Sequence, residues 1–253
     1  MIRRFSGWIG AACLLLLCVA PAGAAQEVTV SAAASLTNAF TEIKGLFEKT
    51  HPGVTVRTNF AASNPLLRQM QEGAPVDVFA SADQATMDKA ASGKLIDPAT
   101  RVDFALNDLV LIVPADSRLP LKGIRDLASA DVRRIAVGNP DSVPAGRYAR
   151  EALTSAGLWE TLQPRYVFGA SVRQALDYVR RGEVEAGFVY RTDALIGGDA
   201  LRIAAVAEGH TPVSYPIAVA SAGPNRAAAE QFVKFVLSPE GQAVLAKYGF
   251  SRP

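Results

Sequence analysis

Short runs of β-branched residues alternate with helical periodicity along the chain. The runs VTVSA and VTVRTNF are typical of strands, and the segment from Leu36 to Lys49 between them has the spacing of a helix. Its apolar side chains recur every three or four residues, at Leu36, Phe40, Ile43 and Phe47. This spacing predicts one apolar stripe packed against a sheet. Strands that alternate with helices in this way indicate an α/β fold with largely parallel strands.

The same alternation restarts in the second half of the chain, which indicates two similar lobes. The run ALNDLVLIVP (105–114) predicts one long apolar strand. RIAVGNP, RYVFG and AGFVY follow it as shorter strands, with helices expected over 145–155 and 172–181 between them. A second long strand is expected over VSYPIAVAS (213–221).

The two long strands set the predicted boundaries of the lobes. If both cross between lobes, the first lobe comprises residues 26–107 and 216–253, and the second comprises 108–215. Two C-terminal helices, predicted over 226–237 and 239–248, then pack on the first lobe. No stretch rich in Gly or Ser separates the lobes, so we expect them to move as a hinged pair.

The first 25 residues have the three parts of a secretory signal peptide. Arg3 and Arg4 precede an apolar run, and small residues close it at Ala22-Gly23-Ala24. The run is shorter than the roughly 20 residues that a membrane span needs. We therefore expect cleavage near Ala24 or Ala25 and export to the periplasm.

Removal of this segment changes the composition of the chain. Both cysteines, Cys13 and Cys18, lie within it, so the mature chain can form no disulfide and bind no metal through thiolate. Leu17 precedes Cys18 where a lipidated cysteine needs a small residue, so a lipid anchor is not expected. The segment carries two of the 26 basic residues and none of the 24 acidic ones, which brings the mature charge close to zero. That balance disfavours nucleic acid as a partner.

The sequence lacks the usual signatures of catalysis. His51 in EKTHPGV and His210 in EGHTP are isolated, which favours solvated turn histidines over metal ligands or members of a triad. No G-x-S-x-G elbow, Walker loop, H-E-x-x-H helix or GxGxxG turn is present. We expect a binding protein with no catalytic residues and no cofactor.

Four junctions between a strand and the next helix share a pattern. Each strand ends in small residues, and a Ser or an Ala-Gly unit opens the helix, in AAASLTNAF, FAASNPLLRQ, DSVPAGRYAREAL and GASVRQALDYV. Ordinary helix capping explains each serine taken singly. Together, four helix N-termini at the carboxyl ends of strands predict an anion site between the lobes.

These junctions suit a fully deprotonated tetrahedral oxyanion. Such a dianion accepts hydrogen bonds from every side and donates none, so backbone N–H groups and hydroxyls can satisfy it without a formal positive charge. A protonated phosphate would need an acceptor such as a carboxylate. The nearest carboxylate is that of Asp141, which is interpreted as a turn or capping residue. Phosphate is therefore disfavoured, whereas sulfate is not.

The four junctions, in this order, strongly resemble the periplasmic molybdate-binding proteins of ABC transporters. The resemblance runs from about Val28 to Phe250 and includes GAPVDVFASADQ, GFVYRTDA and KYGF. It implies a two-lobed periplasmic-binding-protein fold of type II, in which two strands form the hinge between α/β lobes. It also implies a monomer that captures molybdate, and tungstate of similar size, for an ABC permease of the inner membrane.

The resemblance further implies five ligand contacts that would hold molybdenum only as its oxyanion. Two serines would donate both hydroxyl and backbone N–H, two residues would donate backbone N–H alone, and a tyrosine would donate its hydroxyl. These residues are Ser35, Ser63, Ala145, Val172 and Tyr190. Two neighbours depart from the family pattern: Asn64 follows Ser63 in a loop with fewer hydroxyls, and Ser171 stands where an acidic residue is common.

Two alternatives to molybdate capture stay open. One is a sulfate- or thiosulfate-binding protein of the same fold. The other is an exported enzyme that acts on an oxyanion ester and stabilises its transition state with the same donors. Such an enzyme would have to recruit Ser35, Ser63 or Tyr190 as nucleophile, with no histidine or other general base beside them.

Overall fold

The computed structural model describes residues 26–253. Residues 1–25, which carry the predicted signal peptide and its cleavage site, lie outside the described residues. Within the described part, ten strands and eight α-helices form two α/β lobes. None of the helices in residues 26–253 is long and apolar enough to cross a membrane.

The elements alternate in the order that the sequence predicts. The strands are β1 (Gln26–Ala33), β2 (Val54–Ala61), β3 (Val78–Ala80), β4 (Val102–Asn107), β5 (Leu109–Pro114), β6 (Ile135–Gly138), β7 (Tyr166–Gly169), β8 (Ala186–Tyr190), β9 (Leu201–Val206) and β10 (Val213–Val219). The helices are α1 (Thr37–Thr50), α2 (Ser63–Gln71), α3 (Gln84–Ser92), α4 (Pro144–Ser155), α5 (Val172–Arg180), α6 (Arg191–Gly197), α7 (Arg226–Leu237) and α8 (Pro239–Lys247).

The two lobes share one sheet topology. The first sheet has the strand order β2-β1-β3-β10-β4, and the second has the order β7-β6-β8-β5-β9. In each sheet the first three strands are parallel, and the last two pairings are antiparallel. The helices that follow β1, β2, β6 and β7 therefore begin at the carboxyl ends of parallel strands, where open α/β sheets bind ligands.

The apolar stripe of α1 lies in the core of the first lobe. Phe40, Ile43 and Phe47 are fully buried, as the helical spacing predicts. The C-terminal helices close this core, since the ring of Phe232 on α7 packs edge-on against Phe40 and Phe47 at centroid distances of 6.0 and 5.3 Å. Burial of several aromatic side chains makes this the main apolar cluster of the lobe.

The apolar run 105–114 is not one strand. It breaks at Asp108 into β4, which pairs with β10 in the first sheet, and β5, which pairs with β8 and β9 in the second. The Asn107 amide oxygen accepts the Asp108 N–H at 3.0 Å, and the Asp108 carbonyl accepts the N–H of Arg191 at 2.9 Å. The chain thus leaves one sheet and enters the other within one residue. The hydropathy of the run does not indicate this change.

The second crossing also differs from the prediction. The predicted boundary between 215 and 216 lies inside β10, whose pairing in the first sheet begins with Val213 opposite Asn107. The lobes therefore exchange in residues 207–212, between the end of β9 and the start of β10. The first lobe therefore comprises residues 26–107 and 213–253, and the second lobe comprises 108–212.

Candidate anion-binding site

The five residues that the sequence singles out line one small cavity between the lobes. The cavity has about 190 Å³ of space between atoms, part of which opens to solvent. Larger grooves on the surface, such as that beside Trp159 and His210, are lined from a single lobe. The cavity is lined by Ala33, Ala34, Ser35, Ala62, Ser63, Ala82, Val143, Pro144, Ala145, Val172 and Tyr190.

The first lobe brings two serines to the cavity. Ser35 lies in the short 3-10 turn Ala34–Leu36 between β1 and α1, and Ser63 is the first residue of α2. Both side chains are buried. The Ser63 hydroxyl oxygen accepts the backbone N–H of Ala82 at 3.1 Å, so its own proton is free to point at a ligand.

The second lobe brings two helix N-termini to the cavity. Ala145 is the second residue of α4, after Pro144, and Val172 is the first residue of α5. Backbone N–H groups in the first turn of a helix have no acceptor within that helix. They carry a partial positive charge as well, so an anion in the cavity can accept from both.

Close packing fixes the position of the α4 terminus. Gly146 lies so close to the end of β6 that a Cβ on it would overlap the carbonyl of Gly138. Only glycine lets the helix approach the strand in this way. The Ala-Gly unit of VPAG therefore brings the Ala145 N–H close to the edge of the sheet. On α5, the Ser171 hydroxyl oxygen caps the helix by accepting the N–H of Gln174 at 3.2 Å.

Tyr190 completes the lining at the end of β8. Its side chain is 1 % exposed, and its hydroxyl has no hydrogen-bond partner among the residues that the structure describes. Burial raises the pKa of this phenol well above its ordinary value, so the hydroxyl stays protonated at neutral pH. A buried polar group without a partner is costly, so the Tyr190 hydroxyl is available to a ligand in the cavity.

No carboxylate lines the cavity in the described part of the chain. Asp141 is exposed, as expected of a turn residue, and its backbone carbonyl accepts the side-chain amide of Asn64 at 2.8 Å. This bond joins the lobes, so the departure from the serine-rich loop at position 64 supplies an interlobe contact. The all-donor lining is what a fully deprotonated oxyanion requires.

Two arginines of the second lobe reach across to the first. On α4, Arg147 forms an ion pair with Asp83 and donates to the Thr86 hydroxyl at 2.9 Å. Asp83 is buried at the N-terminus of α3, where its other oxygen accepts the Thr86 N–H at 3.0 Å. The pair therefore holds α4 against the first lobe beside Ala145.

On α5, Arg173 makes the second contact of this kind. It donates to the amide oxygen of Asn38 at 2.9 Å and to the backbone carbonyl of Ser35 at 3.3 Å. Within its own lobe it pairs with Asp193 at 2.6 Å. Burial raises the pKa of the Asp193 carboxyl to about 6, against the opposing effect of Arg173.

Comparison with known proteins gives the family. A family model described as bacterial extracellular solute-binding protein matches residues 28–251, nearly all of the described chain. The chain is a member of this family. The molybdate-binding protein ModA of Escherichia coli is 40 % identical over 230 residues, covering 89 % of each chain.

Two further relatives agree with this assignment. A Bacillus subtilis protein named as a candidate ABC transporter substrate-binding lipoprotein, YvgL, is 35 % identical over 261 residues, covering 99 % of each chain. The structure of the periplasmic molybdate-binding protein of Azotobacter vinelandii is similar with a TM-score of 0.80, at 27 % identity, covering 89 % of this chain and 99 % of that one. The type II periplasmic-binding-protein fold predicted from the sequence is confirmed.

Relatives in this family are named as binding proteins, and both histidines of this chain make contacts away from the cavity. The ring of His51 stacks on Phe47 at a centroid distance of 4.0 Å, and His210 contacts the carbonyls of Thr211 and Ala207. Neither lines the cavity. Residues 26–253 contain no cluster of His, Cys, Asp and Glu side chains that could hold a metal ion.

The sequence analysis missed the residues that surround the donors. Arg147, Asp83 and Arg173 lie in the family motifs, yet their contacts join segments far apart in the sequence. Tyr215 lies inside VSYPIAVAS, where it resembles an ordinary core tyrosine, but its hydroxyl oxygen is 3.1 Å from that of Ser35. The one available signal was proximity to the four junctions, since Arg147 and Arg173 each stand within two residues of a predicted contact.

Proposed function

We propose that this protein captures molybdate in the cavity between its lobes and delivers it to an ABC importer. The observation that carries the proposal is the convergence of donors from both lobes on a cavity of about 190 Å³ without a carboxylate. Ser35, Ser63 and Tyr190 would donate hydroxyls, and Ala145 and Val172 would donate backbone N–H groups. Relatives named as molybdate-binding proteins support the choice of ligand.

Affinity in this scheme comes from donors that are already in place before the anion arrives. The helix termini and the buried hydroxyls need little reorganisation, so few degrees of freedom are lost on binding. Tungstate is a tetrahedral dianion of nearly the same size and binds in the same way. Sulfate offers the same acceptors but is smaller, so the size of the closed cavity discriminates against it.

Calorimetric titration of the mature protein with molybdate, tungstate, sulfate and phosphate tests the proposal. We expect tight binding of the first two, and a thermal melt that shifts upward because the anion binds only the folded state. At a 100-fold excess over the dissociation constant the stabilisation is about 2.7 kcal/mol. A melt that ignores both molybdate and tungstate contradicts the proposal, and a response to sulfate alone would make this a sulfate-binding protein.

The remaining parts of the proposal concern the setting of the site. The protein acts as an exported monomer without a cofactor, after cleavage near Ala24 or Ala25. It engages a permease of the inner membrane. Mass spectrometry of the protein from its native host distinguishes this cleavage from lipidation at Cys18, which the lipoprotein relative makes worth testing.

A further inference from the structure

Tyr215 does not line the cavity but contacts Ser35, which does. Its side chain is fully buried on β10, and its hydroxyl oxygen is 3.1 Å from the Ser35 hydroxyl oxygen. The side-chain amide nitrogen of Asn107 lies 3.3 Å from the same Tyr215 oxygen. The three side chains therefore form a chain of hydrogen bonds that begins at the crossing between the lobes and ends at the cavity.

The direction of these hydrogen bonds follows from the amide of Asn107. Its oxygen accepts the backbone N–H of Asp108 at 3.0 Å, and its nitrogen donates to the Thr192 hydroxyl at 2.9 Å. The backbone N–H of Asp108 can only donate, so this contact fixes the amide oxygen toward Asp108 and leaves the nitrogen to face Thr192 and Tyr215. An amide nitrogen can only donate, so the Tyr215 oxygen accepts from Asn107.

The proton of Tyr215 must then go to Ser35. Among the described residues, Tyr215 has hydrogen bonds only to Asn107 and Ser35, and the amide nitrogen cannot accept. A buried hydroxyl proton without an acceptor is costly. Tyr215 therefore donates to Ser35, and the proton of Ser35 is directed into the cavity.

We propose that Asn107 and Tyr215 are positioning residues that fix Ser35 as a donor and thereby exclude oxyanions that carry a proton. This inference rests on the proposed oxyanion-binding function. Ser63 is in the same situation, because its oxygen already accepts the Ala82 N–H and the described residues give its proton no other acceptor. Tyr190 has no protein partner, so accepting a proton from the ligand would leave its own proton unpaired.

All three hydroxyls thus act as donors to one ligand. Hydrogen phosphate is a tetrahedral dianion like molybdate, but one of its oxygens carries a proton that needs an acceptor. In this cavity each of the three hydroxyls already directs its own proton at the ligand, so none of them can accept the proton of hydrogen phosphate. Sites that leave a buried polar group unpaired discriminate strongly against the wrong ligand.

Asn107→Asp reverses the chain of hydrogen bonds without a change in side-chain size. The aspartate oxygen that replaces the amide nitrogen accepts from Tyr215, Tyr215 then accepts from Ser35, and Ser35 turns a lone pair toward the cavity. The new carboxylate can still accept the Asp108 N–H and can accept the Thr192 hydroxyl. Its charge repels molybdate and hydrogen phosphate alike, since both are dianions, so the ratio of their affinities reports only the direction of the hydroxyl.

The experiment is a competition titration of molybdate and phosphate in a mildly alkaline buffer, on folded parent, Asn107→Asp and Tyr215→Phe. We expect the preference for molybdate over hydrogen phosphate to fall about tenfold or more in Asn107→Asp. In Tyr215→Phe the preference should fall less. The Ser35 hydroxyl is then free to rotate, but no neighbouring acceptor turns its proton away from the cavity. Tyr166→Phe is the matched control, because its hydroxyl donates to the Trp159 carbonyl away from the cavity, and its preference should equal that of the parent.

An unchanged preference in both Asn107→Asp and Tyr215→Phe would overturn the inference even if both anions bound more weakly, since that would mean a purely structural role. The proposed function fails separately, and this inference with it, if the parent itself does not bind molybdate. Parent binding combined with an unchanged ratio in the variants would overturn this inference alone.

Discussion

The two lobes have the same sheet topology but supply the cavity with different kinds of donor. The first lobe supplies the hydroxyls of Ser35 and Ser63, and the orientation of each depends on a neighbouring group, Tyr215 or the Ala82 N–H. The second lobe supplies the Tyr190 hydroxyl, which has no protein partner among the described residues, and two backbone N–H groups whose orientation is set by the helix itself. The donors of the first lobe can therefore be redirected by a substitution behind them, whereas a backbone donor of the second can only be removed.

The two lobes also contribute different groups to the contacts between them. The second lobe contributes the charged groups Arg147 and Arg173, and the first lobe contributes acceptors, including the carboxylate of Asp83 and the carbonyl of Ser35. Arg173 directly follows Val172, and Arg147 stands two residues after Ala145. Because α4 and α5 carry both the proposed backbone donors and the interlobe arginines, we expect binding to respond more sharply to substitutions in the second lobe.

The largest effect is expected from Val172→Pro, which deletes a backbone donor of the second lobe. Val172 is the first residue of α5, and Ser171 before it is extended, with φ −153° and ψ 166°. Proline is tolerated at that position and after that conformation, so the fold should persist. Loss of one hydrogen bond to a charged acceptor costs about 1.5–3 kcal/mol, or roughly tenfold to a hundredfold in molybdate affinity measured by calorimetry.

Val172→Ala is the control for this variant, because it shortens the side chain and keeps the N–H. It should bind molybdate nearly as well as the parent, and both variants should show the circular dichroism of the folded protein. Equal affinity of the proline and alanine variants would mean that the Val172 N–H is not a ligand. Ala145→Pro is a less clean test. Pro144 is already helical, and a proline at position 145 would disfavour the helical conformation of the residue before it.

A smaller effect is expected from Arg147→Met, which breaks the ion pair between the lobes and keeps most of the apolar stem. Asp83 is nearly buried and would lose its charged partner, and loss of such a partner acts mainly on dissociation. We expect molybdate release to accelerate by about tenfold, measured by stopped-flow fluorescence.

Arg150→Met is the matched control, on the same helix. Its guanidinium lies 3.8 Å from Asp141, whose side chain is exposed, and the Arg150 side chain is itself partly exposed. An exposed pair of this kind contributes at most about 1 kcal/mol, and this one does not join the lobes, so release should change less than about twofold. Equal release rates for the two variants would show that the Arg147 pair has no part in closure.

The sequence could predict which residues line the cavity because their signal is local. A strand, a small residue and a helix start lie within ten residues of each other at AAASL or FAAS, and the α/β pattern places all such junctions at one edge of a sheet. The residues that tune these donors have no local signal. Asp83 and Arg147 lie in different lobes and meet only in the folded protein, and the role of Tyr215 depends on which end of the Asn107 amide faces it. The break at Asp108 could not be predicted for the same reason. It is defined by the strands with which β4 and β5 pair, and these are distant in the sequence.

The smallest effect on molybdate affinity is expected from a change in pH. The group that titrates lies in the second lobe, and it acts on a contact with the first. Asp193, buried in the second lobe, holds Arg173 against Asn38 and the Ser35 carbonyl of the first. Burial raises the pKa of this carboxyl to about 6. As the pH falls through about 6 the carboxyl takes up a proton, and Arg173 loses the charge that orients it. Affinity for dilute molybdate, measured by calorimetry between about pH 7 and 5, should fall by a few-fold through this group.

Folding stability should respond to the same proton with the opposite sign. The folded protein binds a proton at Asp193 at higher pH than the unfolded chain does, since an exposed aspartate has a pKa near 3.9. The contribution of this carboxyl to the free energy of unfolding therefore rises as the pH falls from above about 6 toward 4. Asp193→Asn removes the titration and keeps the size of the side chain, so the difference between parent and variant isolates the effect. If the variant loses molybdate affinity over this range as steeply as the parent, the titrating group lies elsewhere and Asp193 does not act through Arg173.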